Sequence, residues 1–193
     1  ETMVWSPKLK YLCSPRFEML NKLKNIIFLS LFFLTSLWAQ FDTPVTLSAK
    51  AEEGARAGEV VDIVVTATMD EEWKIYALRD QGKGPVASRV IVTGDAIAEA
   101  GMVLEEAPIE EYDDGFETNT RTHQGGAIFT APVLLKSDLQ PGKYELSVGV
   151  LYQVCNASLC YPPKEEFLTV ALNVDAGATR ENRTEMIAAV KEF

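Results

Sequence analysis

Hydrophobic residues in this chain recur at every second position in short runs, and glycine, proline and acidic turns cut the runs at brief intervals. Val45-Thr-Leu-Ser-Ala alternates, and Val60 to Met69 is a long run of Val, Ile and Thr. Ala127 to Leu135 and Tyr144 to Val154 are the strongest strand candidates. A period of two puts alternate side chains on one face of a pleated strand, so each run can bury one face and wet the other. Shorter strands are expected at Val90 to Thr93 and Met102 to Leu104. Turns are expected at Ala55 to Gly58, at Asp70-Glu71-Glu72 and at Leu139-Gln-Pro-Gly142. About eight short strands with almost no helical spacing among them predict an all-β sandwich.

The segments between the runs are read as loops. Ala96 to Gly101 is expected to form one loose turn, and Ala107 to Thr122 a long, acid-rich polar loop containing Tyr112 and Phe116. His123, in Thr-His-Gln-Gly-Gly, reads as a surface loop residue. Arg79 to Ser88 carries Gly82, Gly84 and Pro85 and is a loop by composition. Its Gly-x-Gly is no phosphate cradle, because no helix pattern follows it. Trp73 to Leu78 alternates Trp, Ile and Ala against Lys, Tyr and Leu, so Trp73 and Tyr76 are residues for packing or for contact with a partner.

The 193 residues allow one domain with a proper core. From Met19 a short basic stretch leads into an apolar run, Ile26 to Trp38, and then Ala39-Gln40. A largely apolar run of about 13 residues is too short to span a bilayer and fits the core of a signal peptide over residues 19–39, with residues 1–18 an upstream or start-site extension. Formal charge is −10, and beyond residue 40 there remain 13 basic against 26 acidic side chains. Such a surface repels phosphate, which argues against a nucleic-acid partner. After Val174 the chain continues through Asp175-Ala-Gly-Ala into a linker or a short terminal helix, with helical spacing at Met186, Ile187, Val190 and Phe193 and a cap candidate in Asn182-x-x-Glu185.

Two cysteines stand apart from this pattern, in Tyr152-Gln-Val-Cys155-Asn-Ala-Ser-Leu-Cys160-Tyr-Pro-Pro163. They sit at the roots of a hairpin connection between Gly142 to Val154 and Glu165 to Val174, where facing positions come close enough to bridge. Closing so short a loop restrains the unfolded chain by only about 2 kcal/mol. On spacing alone two readings stand side by side, dithiol chemistry and a structural hairpin bridge in a secreted binding or assembly module. Zinc is the weak third, because it wants three or four ligands and the chain has one histidine, His123. Removing the leader would also remove Cys13, leaving an even pair in an oxidising compartment.

The run Tyr-Gln-Val-Cys-x4-Cys-Tyr-Pro-Pro resembles the amino-terminal periplasmic domain of the thiol:disulfide interchange protein DsbD family. Trp73-Lys-Ile-Tyr-Ala-Leu78 with Gly84-Pro85, Asp113-Asp-Gly-Phe116, and the strand Gly126 to Leu135 are similar to further family segments, so the resemblance covers residues 42–174. It implies an immunoglobulin-like β-sandwich that exchanges thiols and disulfides in the periplasm, with no cofactor beyond a redox-active Cys155–Cys160 disulfide. Cys160 would form the mixed disulfide with a client and Cys155 would resolve it. Reducing equivalents would pass from a thioredoxin-like donor to client oxidoreductases, including those of cytochrome c biogenesis, with the domain acting as a monomer. In the family a membrane domain and a thioredoxin-like domain follow. An aromatic residue on a mobile loop caps the cysteines there; Phe116 is the best match and Tyr112 a substitute, since Gly115 interrupts the spacing. Asp113 and Asp114 beside the cap would raise the thiol pKa. Tyr76, Tyr152, Tyr161 and Pro162 complete the neighbourhood expected of the pair.

Overall fold

The structure, a computed structural model, describes residues 44–78 and 84–184. The expected leader, the extension before it, part of the 79–88 loop and the helical spacing from Met186 to Phe193 lie outside the described residues. Among those described, the strands in chain order are β1 (Val45–Ala51), β2 (Ala55–Arg56), β3 (Val60–Met69), β4 (Lys74–Tyr76), β5 (Arg89–Thr93), β6 (Ile97–Ala100) and β7 (Leu104–Glu105). They continue as β8 (Ile109–Asp113), β9 (Thr118–Gln124), β10 (Gly126–Leu135), β11 (Gly142–Tyr152), β12 (Val154–Cys155) and β13 (Lys164–Asp175). A single 3-10 turn, Glu181–Arg183, follows.

The strands form three sheets. The first has the order β1-β3-β10-β6, with β7 also on β10; the second is β2-β13-β11-β5; the third is β12-β4-β9-β8. In the first, β1 and β10 both run antiparallel to β3, from Val45↔Met69 to Ala51↔Ile63 and from Gly126↔Thr68 to Leu134↔Val60. The second is built on a long hairpin, β11 with β13, whose register runs without a break from Gly142↔Val174 to Tyr152↔Lys164.

Alternation decides which side chains meet between the first two sheets. Val61, Ile63, Val65 and Ala67 of β3 and Ala127, Phe129, Ala131 and Val133 of β10 all turn inward and are buried. They join one cluster with Leu146, Val148 and Val150 of β11, Val170 and Leu172 of β13 and Val90 and Val92 of β5. Each fully buried aliphatic or aromatic side chain here contributes about 1.5–3 kcal/mol by leaving water. The result is an all-β, immunoglobulin-like sandwich.

One charged group is buried at the margin of this core. Glu59 is 0% exposed, and Arg180 reaches it through Nε at 2.7 Å and Nη2 at 2.6 Å. The backbone N–H groups of Arg180 and Arg56 also donate to it, at 2.9 and 3.1 Å. The hydrogen bonds from Arg180 outweigh burial and bring the carboxyl down to about 2. Thr179 Oγ1 donates to the Ala57 carbonyl at 2.7 Å, so the chain after β13 is tied back onto the turn before β3.

Several sequence expectations change. Ala107 to Thr122 is largely a hairpin, β8 with β9, paired from Ile109↔Thr122 to Asp113↔Thr118. As an edge strand, β8 is exposed or half-buried throughout, so it carries no apolar period. The strand signal in β9 lies in threonines 118, 120 and 122, β-branched at every second position. Ala96 to Gly101 contains β6, held by tertiary pairing of Ala100 with Val133 and Ile97 with Leu135. The turn expected at Ala55 to Gly58 begins with β2, which pairs in parallel with the end of β13. His123 is buried within β9, not on a surface loop.

Candidate functional site

The third sheet exists because the chain changes partner at Gln153. Up to Tyr152 it pairs with β13 and β5; after Gln153 it joins β4, pairing Val154 with Ile75 and Cys155 with Lys74. Side chains pin the crossover. Gln153 Oε1 accepts from Val86 N–H at 2.9 Å, and the Tyr152 hydroxyl donates to Glu166. On the far side of β4, Gly125 marks the step from β9 to β10. It takes φ +69°, which favours glycine, while its carbonyl accepts from Met69 N–H and its N–H donates to the Trp73 carbonyl.

Beyond β12 the chain folds back at once. Asn156 N–H donates to the Leu159 carbonyl at 2.8 Å and Tyr161 N–H to the Val154 carbonyl at 2.9 Å. These bonds flank Cys155 and Cys160 as the non-hydrogen-bonded pair of a small antiparallel ladder, the type in which facing residues stand closest. Their Cα atoms are 4.1 Å apart and the sulfurs are bonded. The Asn156 side-chain oxygen accepts from the N–H groups of Ser158 and Leu159, which fixes the turn between them. Cys155 is 1% exposed, whereas Cys160 is exposed to solvent.

A groove of about 450 Å³ opens over this pair, lined by both cysteines, by Lys74 and Tyr76 of β4, and by residues 111–116 of the β8–β9 hairpin. Tyr112, Asp113, Asp114 and Phe116 therefore come together with the cysteines across more than thirty residues of sequence. Phe116 packs edge-on against Tyr76 with ring centroids 6.1 Å apart, while Tyr112 is 60% exposed. The turn closes through Asp113 Oδ1, which accepts from Gly115 N–H at 3.0 Å, and through Glu117 at φ +52°. A non-glycine residue in that left-handed conformation costs about 1–2 kcal/mol.

The electrostatics centre on Asp113. Burial would raise its carboxyl, but hydrogen bonding and charge from Lys74, with the N–H groups of Gly115 and Phe116, hold it below its ordinary value. Lys74 Nζ lies 3.1 Å from Asp113 and 3.2 Å from Glu111. The Tyr76 hydroxyl donates to Asp113 at 3.4 Å, and burial, followed by the Asp113 charge, pushes its phenol well above the usual range. Tyr76 thus remains a neutral donor.

Tyr161, Pro162 and Tyr152, also expected near the pair, do not line the groove. Tyr161 packs on Trp73 with centroids 5.6 Å apart, at the flank of the hairpin, and Pro162 is exposed beyond it. Tyr152 is 1% exposed in the core and does not line the groove. Sequence reading missed Lys74 and Glu111; the signal available was a lysine inside the Trp-x-x-Tyr segment and an acid two residues before Asp113. It also missed the support behind the site. His123 Nε2 lies 3.0 Å from Glu105, which accepts from Leu78 N–H at 2.8 Å, and the His123 ring stands edge-on to Phe129 of the core.

Fold and groove define a class, an immunoglobulin-like domain whose paired cysteines lie under an acidic and aromatic turn. The chain belongs to the family described as thiol:disulfide interchange protein DsbD, N-terminal, whose model matches residues 44–172. Similar solved structures include the reduced DsbD N-terminal domain of Neisseria meningitidis, at 19% identity and TM-score 0.39, covering 62% of this chain and 82% of that one. The N-terminal periplasmic domain of ScsB from Proteus mirabilis is similar at 20% identity and TM-score 0.48, over 76% of this chain and 53% of that one. The complex between the DsbD and PilB N-terminal domains from Neisseria meningitidis matches at 16% identity and TM-score 0.40, over 69% of this chain and 87% of that one. No curated protein matches.

Proposed function

We propose that Cys155 and Cys160 are a redox pair that passes reducing equivalents from a thioredoxin-like donor to client oxidoreductases outside the cytoplasm. The observation that carries this reading is the unequal exposure of the bridged cysteines at the mouth of the groove: Cys160 faces solvent and Cys155 is buried behind it. Membership of a thiol:disulfide interchange family supports the same chemistry.

In the reduced pair Cys160 attacks a client disulfide as a thiolate. A Cys160–client bond forms, and the first client sulfur leaves with the bonding electrons and takes a proton. Cys155 then attacks Cys160 Sγ, forming the intramolecular bond and releasing the second client sulfur as a thiol. The pair gives up two electrons and two protons, and the client gains them. A thioredoxin-like dithiol reverses the sequence to restore the reduced pair. Phe116 and the acidic turn shield the pair between encounters. The apolar run before residue 40 is read as an export signal that brings the domain to an oxidising compartment.

The test is trapping. With Cys155→Ser, Cys160 forms a mixed disulfide with an oxidised thioredoxin-like protein that nothing resolves, and the covalent complex accumulates on a non-reducing gel. With Cys160→Ser no such complex should accumulate. Equal trapping by both variants would contradict the assigned order, and trapping by neither would leave the bridge a structural one.

A further inference from the structure

Cys155 stands directly opposite Lys74 across the β12–β4 ladder. Opposed residues of an antiparallel pair share a face, with Cβ atoms about 5 Å apart. The Lys74 side chain therefore rises beside that of Cys155, and both line the groove. It is only 17% exposed, and its Nζ ends between Glu111 Oε1 and Asp113 Oδ2. The remaining titratable side chains lining the groove are Tyr76, Tyr112 and Asp114, so Lys74 is the single cation among the described residues there. Tyr76 adds no charge, since its phenol keeps its proton.

We propose that Lys74 is a positioning residue for thiol exchange, whose ammonium favours the thiolate of Cys155 when that thiolate resolves the mixed disulfide. The inference rests on the exchange reading above. At the resolving step the Cys155 thiolate attacks Cys160 Sγ; the Cys155–Cys160 bond forms, the Cys160–client bond breaks, and the client sulfur leaves with the electron pair. Without an ammonium, that thiolate would form facing the carboxylates of Glu111, Asp113 and Asp114 uncompensated. A like charge nearby disfavours ionisation and an opposite one favours it. The acidic turn alone would therefore keep Cys155 protonated in the resting state and equally at the step where it must react. Lys74 counters that cost from a place in the register that fixes its Cβ beside Cys155. A lysine serving only to hold the turn would not need to stand opposite the cysteine.

The test uses the reduced protein with carbon-13-labelled cysteine, titrating the Cβ signal of each cysteine in wild type, Lys74→Met and Lys74→Arg. Lys74→Met should raise the Cys155 midpoint by about one pH unit, making resolution of a preformed Cys160–glutathione mixed disulfide about tenfold slower below both midpoints. Lys74→Arg should restore the midpoint and the rate. Alkylation in the high-pH plateau separately reads access, so a turn that merely opens would raise the plateau and, by carrying its carboxylates away, would leave the midpoint unmoved or lower it. An unmoved or lowered midpoint in Lys74→Met overturns the proposal. If Lys74→Met fails to fold, Lys74→Gln is read in its place by the same criterion. Wild-type protein that exchanges with glutathione beside an unmoved Lys74→Met midpoint defeats the lysine role alone, whereas a wild-type pair that does not exchange defeats the reading beneath it.

Discussion

The sandwich and the groove side of the third sheet are held by different forces. In the sandwich, β3, β11 and β13 run 10, 11 and 12 residues and carry buried aliphatic side chains at alternate positions, in β13 from Val170 to Val174. In the third sheet, β4 has 3 residues and β12 has 2, and the groove beside them is bounded by a lysine, carboxylates and two short turns. Apolar burial contributes about 1.5–3 kcal/mol per side chain, whereas a partly exposed ion pair contributes about 0–1 kcal/mol. Stability thus resides in the layer that does no chemistry. The third sheet enters the core through Ile75 and Val154, and the bridged pair sits at its groove side, where the surroundings are largely polar.

The strongest attempt to break this division is Phe129→Ala. Its ring is 0% exposed between the sheets, so truncation should cost about 3–5 kcal/mol in urea unfolding. A loss under about 1 kcal/mol would mean that the sandwich is not where stability lies. Next comes Arg180→Met, which leaves the Glu59 carboxylate buried without its main partner and should lower the urea midpoint, by less than Phe129→Ala does. The same pair sets a pH window. Glu59 is depressed from 4.5 to about 2 in the folded state, so its contribution is complete above the ordinary value and is lost as pH falls through that interval. Stability of the wild type should decline between those values, and Glu59→Gln should flatten that part of the decline.

Changes at the groove should be smaller in stability and larger in chemistry. Cys160→Ser should abolish exchange and cost no more than about 2 kcal/mol, because the loop it closes is short. A variant that fails to fold would move the bridge into the stabilising layer and favour the structural reading. Phe116→Ala should cost about 1 kcal/mol, the scale of its edge contact with Tyr76. It should also speed alkylation of the reduced pair by a small reagent. Asp113→Asn with Asp114→Asn should lower the midpoint of that reaction; an unchanged rate and midpoint in these variants would remove the shielding role of the turn.

What could be read from sequence follows the same division. Strands with an inward aliphatic face announced themselves, as in Val60 to Met69 and the β11–β13 hairpin, because the core demands period-two patterning. The cysteine hairpin was legible too, since both residues lie in one connection. The hairpin of β8 and β9 was not, because an exposed edge strand such as Ile109–Asp113 has no apolar period to display. His123 was misplaced for a related reason. Its burial depends on Glu105 and Phe129, neither of them a sequence neighbour. Lys74 was legible as a residue and not as a role, because its position opposite Cys155 exists only once the chain leaves β13 and β5 at Gln153 to pair with β4.

The reduction potential of the Cys155–Cys160 couple tests most directly whether the bridge is made to be opened. Equilibration of the purified domain against glutathione and thioredoxin buffers, with the free thiols counted by mass, gives the value. A redox pair should come to equilibrium within the buffered range, at a potential above about −300 mV. A bridge that remains closed below about −300 mV would be a structural staple, and the domain would then be a binding module with no part in electron transfer.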